Sequence, residues 1–221
     1  MKLFKSLYTG VLAFVLCAGY QSVFAQEQEA SDESTLTPKF GIKGGFNFSN
    51  LYVDNVQDEH VKVGGNIGFY AKLPVTKGLS IQPELIYSNK GAKEDYSNFL
   101  QGSGTYRFNL HYVEVPVLLV INLTKNFSIS GGGYAAFLAG ATVKDVDSDG
   151  TINNATELST DDFNRFDYGL VGGVSVDIDH VTLGARYNYG LHNIGKDDNL
   201  AGQLTENSKN SVASLFIGFA F

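Results

Sequence analysis

Nine charged residues, Lys43, Lys62, Lys72, Glu84, Glu114, Arg165, Asp167, Asp177 and Arg186, stand in stretches that alternate between apolar and polar side chains. Each falls on the polar side of its stretch. Gathered in a dry interior, opposite charges must pair, because an unpaired buried charge is expensive. Strung along a wet path, the same groups could pass ions or protons. A narrow interior favours pairing. Glu84 and Glu114 each lie near a proline, and Arg186 can hold a carboxylate through two parallel hydrogen bonds. Lys43, Glu84, Glu114 and Arg186 are therefore expected to meet at the centre of a paired-charge plug.

Other candidate chemistry is sparser. Asp145, Asp147 and Asp149, followed by Gly150, match the first half of a calcium loop, in which glycine permits the sharp turn. The match fails later: position twelve is Thr156, with Glu157 one residue late. A solvated acidic turn is the plainer reading, with a weak calcium site as its alternative. No other cofactor is indicated. His192 near Asp197 and Asp198 resembles a base with its orienter. The remaining histidines, His60, His111 and His180, are scattered, and no activated serine sits at a recognisable turn. No catalytic residue is assigned, and the chain is read as a non-enzyme.

The elements that position these groups are strands with a side-chain period of two. The first carries Phe40, Ile42, Phe46 and Phe48 on one face, against Lys43, Asn47 and Ser49 on the other. The stretch from Val181 is the cleanest, with Leu183, Ala185, Tyr187, Tyr189 and Leu191 opposing Thr182, Arg186, Asn188 and His192. The last runs to Phe221, with Leu215, Ile217, Phe219 and Phe221 on one face. In water such an aromatic edge would invite aggregation; lipid outside a closed ring of strands removes that problem. Pro83 and Pro116 cannot donate ladder hydrogen bonds, so a bulge or break is expected near each, with a register change near Pro116.

Connections of two lengths alternate. Those at 51–60, 91–104, 144–162 and 193–209 are long and polar; those at 74–78, 123–126 and 179–180 are short. Long extracellular loops and clipped periplasmic turns produce this parity, whereas soluble sandwiches have no reason to sort loops so. The fold class is all-β: an eight-stranded, antiparallel, up-and-down transmembrane β-barrel.

A basic start, an apolar run from Leu7 to Ala18 and the small-residue site Val23-Phe24-Ala25 read as a cleavable signal peptide over 1–25. The sole cysteine, Cys17, lies within it. Residues 26–38 read as a flexible acidic periplasmic leader and 39–221 as the barrel domain. A net charge of -7 and a pI near 5.0 argue against nucleic acid as a partner.

The segments Lys43-Gly44-Gly45-Phe46-Asn47-Phe48-Ser49, Pro83-Glu84-Leu85-Ile86-Tyr87-Ser88-Asn89-Lys90-Gly91 and Tyr112-Val113-Glu114-Val115-Pro116-Val117-Leu118-Leu119 resemble the PorT-like outer-membrane β-barrels of Bacteroidetes. Asp167-Tyr168-Gly169, Arg186-Tyr187 and Gly190-Leu191 continue the likeness, which covers Lys39–Phe221. The resemblance implies an eight-stranded barrel in the outer membrane of a Gram-negative bacterium. It supplies no catalytic residues. The expected function is structural, or interaction through the acidic extracellular loops, with a plugged lumen. The alternative is a narrow channel or an accessory component of transport or protein secretion. Expected partners are outer-membrane lipid, barrel-assembly machinery reading Phe221 as its signal, and an extracellular or secretion-system protein.

Overall fold

The computed structural model describes residues 36–52, 61–98, 102–147, 152–158, 164–194 and 209–221. The signal-peptide segment 1–25 and most of the acidic leader lie outside these residues. Ten strands follow in order: β1 (Lys39–Tyr52), β2 (Lys62–Thr76), β3 (Leu79–Lys90), β4 (Lys93–Asn98), β5 (Gly102–Asn122), β6 (Phe127–Asp147), β7 (Ile152–Leu158), β8 (Phe166–Ile178), β9 (Val181–Asn193) and β10 (Lys209–Ala220).

Eight of them close a ring. The hydrogen-bonded order β5-β3-β2-β1-β10-β9-β8-β6 is completed by pairing of β5 with β6, every pairing antiparallel. Closure joins the first strand to the last, with Ile42 opposite Phe219 and Phe46 opposite Leu215. It leaves no unpaired edge in the ring, the condition for strands to lie in hydrocarbon. Among the described residues no helix is long and apolar enough to cross a membrane. The strands do the crossing.

Alternation divides the barrel into two environments. Phe46, Ile67 and Phe166 are each about two-thirds exposed, and Val113, Val115, Val117, Leu119 and Ile121 present a continuous apolar row on β5. The opposite face of the same strand buries Leu110, Tyr112, Glu114, Leu118 and Val120. Such an inverted distribution has a lipid for its outer solvent. Outward aromatics gather towards both ends, with Tyr87, Tyr168 and Tyr189 on the long-loop side and Phe40, Phe127 and Phe219 on the other, where amphipathic or large rings favour the interface.

The short connections are tight. Lys77-Gly78 joins β2 to β3, Leu123–Asn126 joins β5 to β6, and Asp179-His180 joins β8 to β9. Asp179 takes a left-handed φ of 53° in that two-residue turn, which Asp tolerates better than most residues. All three turns sit at one end of the barrel.

Two expectations need correction. The polar stretches 91–104 and 144–162 are not wholly loop: β4 pairs with the start of β5, and β7 with the end of β6. These rungs extend two walls beyond the ring, and their backbone groups pair with each other instead of with water. Nor does the register change at Pro116. Tyr112 opposite Leu138 and Pro116 opposite Tyr134 keep one offset, and the shift falls between His111 and Tyr112, where Ala139 is the extra residue. The small Ala139-Gly140 pair makes that insertion sterically cheap. Pro83 opposite Val117 and Ile86 opposite Glu114 also keep one offset. The two prolines therefore sit beside the same short interruption of the β3–β5 ladder and insert nothing.

Candidate functional site

The lumen is filled by charged, polar and aromatic side chains from all around the ring. At its centre is Glu84 on β3, whose side chain is fully buried. Arg186 on β9 grips it with both terminal nitrogens, Nη1 to Oε2 at 2.7 Å and Nη2 to Oε1 at 2.8 Å. Lys43 on β1 donates to both oxygens at 3.2 Å, and Gln82 Nε2 adds a bond at 2.7 Å. Four donor atoms thus make five hydrogen bonds to one carboxylate, which offsets much of the cost of its desolvation.

Phe216 covers this cluster. Its ring centre lies 4.0 Å from Lys43 Nζ and 5.4 Å from the Arg186 guanidinium carbon, within cation–π range. The inward aromatic on β10 breaks that strand's run of small lumenal residues, and Gly184 on β9 makes room for it. A Cβ at Gly184 would stand 2.3 Å from Phe216 Cζ.

A second cluster lies nearer the long loops. Lys90 Nζ meets Glu114 Oε1 at 2.6 Å, both side chains almost wholly buried. The Lys90 ammonium lies 5.2 Å from the Tyr112 ring centre and 4.9 Å from that of Tyr134. Beside them Asp167 accepts hydrogen bonds from Tyr134 Oη at 3.1 Å and Asn210 Nδ2 at 2.7 Å. Taken together, Lys43, Lys90 and Arg186 balance Glu84, Glu114 and Asp167. Lys62, also buried, adds a fourth cation, whose Nζ donates to the Lys90 carbonyl oxygen at 3.2 Å.

Between the clusters, Asn47 Nδ2 donates to Ser88 Oγ at 2.9 Å, while Asn66 and Ser214 donate to Asn47 Oδ1 at 2.6 and 2.9 Å. A cavity of about 20 Å³ remains there, lined by Asn47, Glu114, Arg186 and Asn188 among others. Another of about 40 Å³ lies towards the short turns. Spaces of this size hold one or a few waters. Towards the long loops Leu110, Leu138, Ala141 and Ile194 join Tyr112 and Tyr134 in an apolar layer. Towards the short turns, Lys72 pairs with Asp177 at 3.1 Å, and Thr182 donates to the same carboxylate at 2.6 Å.

Of the four residues expected to meet, the structure brings Lys43, Glu84 and Arg186 together and gives Glu114 a different partner, Lys90. Alternation along β3 places Lys90 inward with Ser80, Gln82, Glu84 and Ser88. The sequence signal was present, but the Asn89-Lys90-Gly91 ending reads as the start of a loop. Asp145 and Asp147 lie on the extended backbone of β6, opposite Asn154 in β7 and Gly104 in β5 respectively, and Asp149 lies outside the described residues. Among the described residues no group of three or more His, Cys, Asp or Glu side chains could hold a metal ion. His192 packs against the Tyr168 ring at 5.4 Å, while Asp197 and Asp198 lie outside the described residues. Phe221 is largely exposed, its backbone nitrogen bonded to Phe40 O at 2.9 Å.

A closed ring of eight strands, apolar towards lipid and ionic within, defines an outer-membrane β-barrel of the smallest class. The chain belongs to the family described as the outer membrane protein beta-barrel domain, whose model matches residues 24–195. Its place is the outer membrane of a Gram-negative bacterium. No curated protein matches the chain. Among solved structures it is similar to Ail, the attachment invasion locus protein of Yersinia pestis, in complex with the heparin analogue sucrose octasulfate. That pair is 14% identical, covers 83% of this chain and 99% of Ail, and has a TM-score of 0.47. Neisserial surface protein A is 12% identical over 82% of this chain and 97% of its own, with a TM-score of 0.48. OprG from Pseudomonas aeruginosa is 14% identical over 83% and 95%, with a TM-score of 0.37.

Proposed function

We propose that this barrel is a non-enzymatic membrane scaffold with a sealed lumen, acting through the segments at its long-loop end. The observation that carries this reading is the plug: among the described residues two buried ion clusters and an apolar layer occupy the lumen, with cavities of about 20 and 40 Å³ beside them. With the lumen occupied, recognition falls to the surface. The long-loop end of the chain includes acidic stretches, Asp145 to Asp149 and Asp197-Asp198, suited to cationic partners. A calcium ion held weakly at Asp145, Asp147 and Asp149 belongs to the same reading, as does facing of the long loops outward. Within the family, the residues quoted above point to the PorT-like barrels. A role as an accessory of transport or secretion is the second reading, favoured by that resemblance.

Replacing residues 195–208 with a short Gly-Ser turn should remove crosslinked partners from intact cells while the protein still shows the heat-modifiable gel shift of a folded barrel. An unchanged crosslinking pattern from a folded variant would refute interaction through this loop. Phe221 completes the outward aromatic series of β10 and is proposed as the signal read during assembly. Its deletion should lower the yield of folded protein in the outer membrane severalfold; an unchanged yield would make the terminus an ordinary residue.

A further inference from the structure

We propose that Lys93, Arg107 and Lys144 form a site for the phosphate groups of a phosphorylated glycolipid in the outer leaflet. The inference rests on the reading that the long-loop end faces out of the cell. Register supplies the first observation: Lys93 on β4 stands opposite Arg107 on β5, which stands opposite Lys144 on β6. Residues directly opposite in antiparallel pairs share a face and are about 5 Å apart. Three cations therefore form one row across three neighbouring strands. Arg107 is exposed and the two lysines are half-buried.

The row faces outward. On β5 the alternation from Arg107 through Asn109 and His111 to exposed Val113 is unbroken, while Leu110 and Tyr112 are buried on the other face. The apolar row from Val113 to Ile121 ends where His111 begins, and His111 stacks on Tyr87 with Tyr87 Oη 2.8 Å from Nδ1. A tyrosine of this kind marks the interface. Arg107 lies two outward positions beyond it, at the level of headgroups rather than acyl chains.

Like charges directly opposite on neighbouring strands are destabilising, and here the repulsion occurs twice in succession. Among the residues whose side chains are described, none of the ion pairs involves any of the three. An external anion would relieve the repulsion. A phosphomonoester brings between one and two negative charges and three acceptor oxygens, which an Arg fork flanked by two ammonium groups fits well.

The test uses the full barrel in phosphatidylcholine nanodiscs, titrated with phosphorylated lipid A and with its dephosphorylated form. At several-fold per surface cation, Lys93→Gln, Arg107→Gln and Lys144→Gln together should weaken binding of the phosphorylated form on the order of a hundredfold. The charge-preserving set Lys93→Arg, Arg107→Lys and Lys144→Arg should keep most of it, and the gel shift verifies folding of both. Equal affinity of the wild type and the glutamine variant would overturn the proposal. So would equal binding of dephosphorylated lipid A, or displacement of the lipid by millimolar inorganic phosphate. A tag at Asn153 that antibodies cannot reach on whole cells would overturn the outward orientation, and with it the outer leaflet as source, without altering the nanodisc result.

Discussion

Glu84→Ala is expected to cost about 3–5 kcal/mol of stability, because it leaves Lys43 and Arg186 buried together without a counter-charge. The size follows from burial: the Glu84 side chain is fully enclosed and those of Lys43 and Arg186 are 3% and 6% exposed. Arg186→Ala should cost less, since Lys43 and Gln82 still donate to Glu84 at 3.2 and 2.7 Å. The double variant should be much less destabilised than the sum of the two, as for groups in direct contact. Urea titrations followed by the gel shift of the folded barrel give all the values. Glu114 and Arg186, which bind different partners, should by contrast be nearly additive. Strong coupling of Glu114 with Arg186 and none of Glu84 with Arg186 would refute the arrangement.

The second large effect is expected at Lys90, held between the Tyr112 and Tyr134 rings. Lys90→Met removes the cation paired with Glu114, beside which Asp167 is also buried, so two buried carboxylates lose their nearest counter-charge. A loss of about 3–5 kcal/mol is expected again. Adding Glu114→Gln to Lys90→Met should recover more than half of it, because well-packed neutral residues often replace a buried ion pair at little cost. Failure of the second change to recover stability, measured in the same titrations, would show that the pair is not a unit.

The barrel was legible from sequence because its physics is repetitive. Most spanning strands state their own inside and outside by parity, and Phe40 to Ser49 and Val181 to His192 did so without exception, whereas β5 beyond Glu114 buries Leu118 and Val120 and β10 turns Phe216 inward. Loop lengths then gave the order of turns. What sequence could not supply was depth: which inward charges lie at the same height depends on strand stagger, which no single strand records. Glu84 and Arg186 are separated by 102 positions and meet, while Glu114 was assigned to the same group and pairs instead with Lys90. The walls beyond the membrane were missed for a different reason. Segments such as Lys93–Asn98 and Ile152–Leu158 carry mostly polar residues at successive positions, and the alternating signal disappears. Ala139 escaped notice since a bulge at an Ala-Gly pair leaves no mark in the pattern, whereas Pro116 advertises a disruption that β5 absorbs without a register change.

A lumen closed by its own side chains should pass no steady ionic current at moderate voltage when the purified full-length barrel is recorded as single channels in planar bilayers. A stable, reproducible conductance from the folded wild-type protein would contradict that closure.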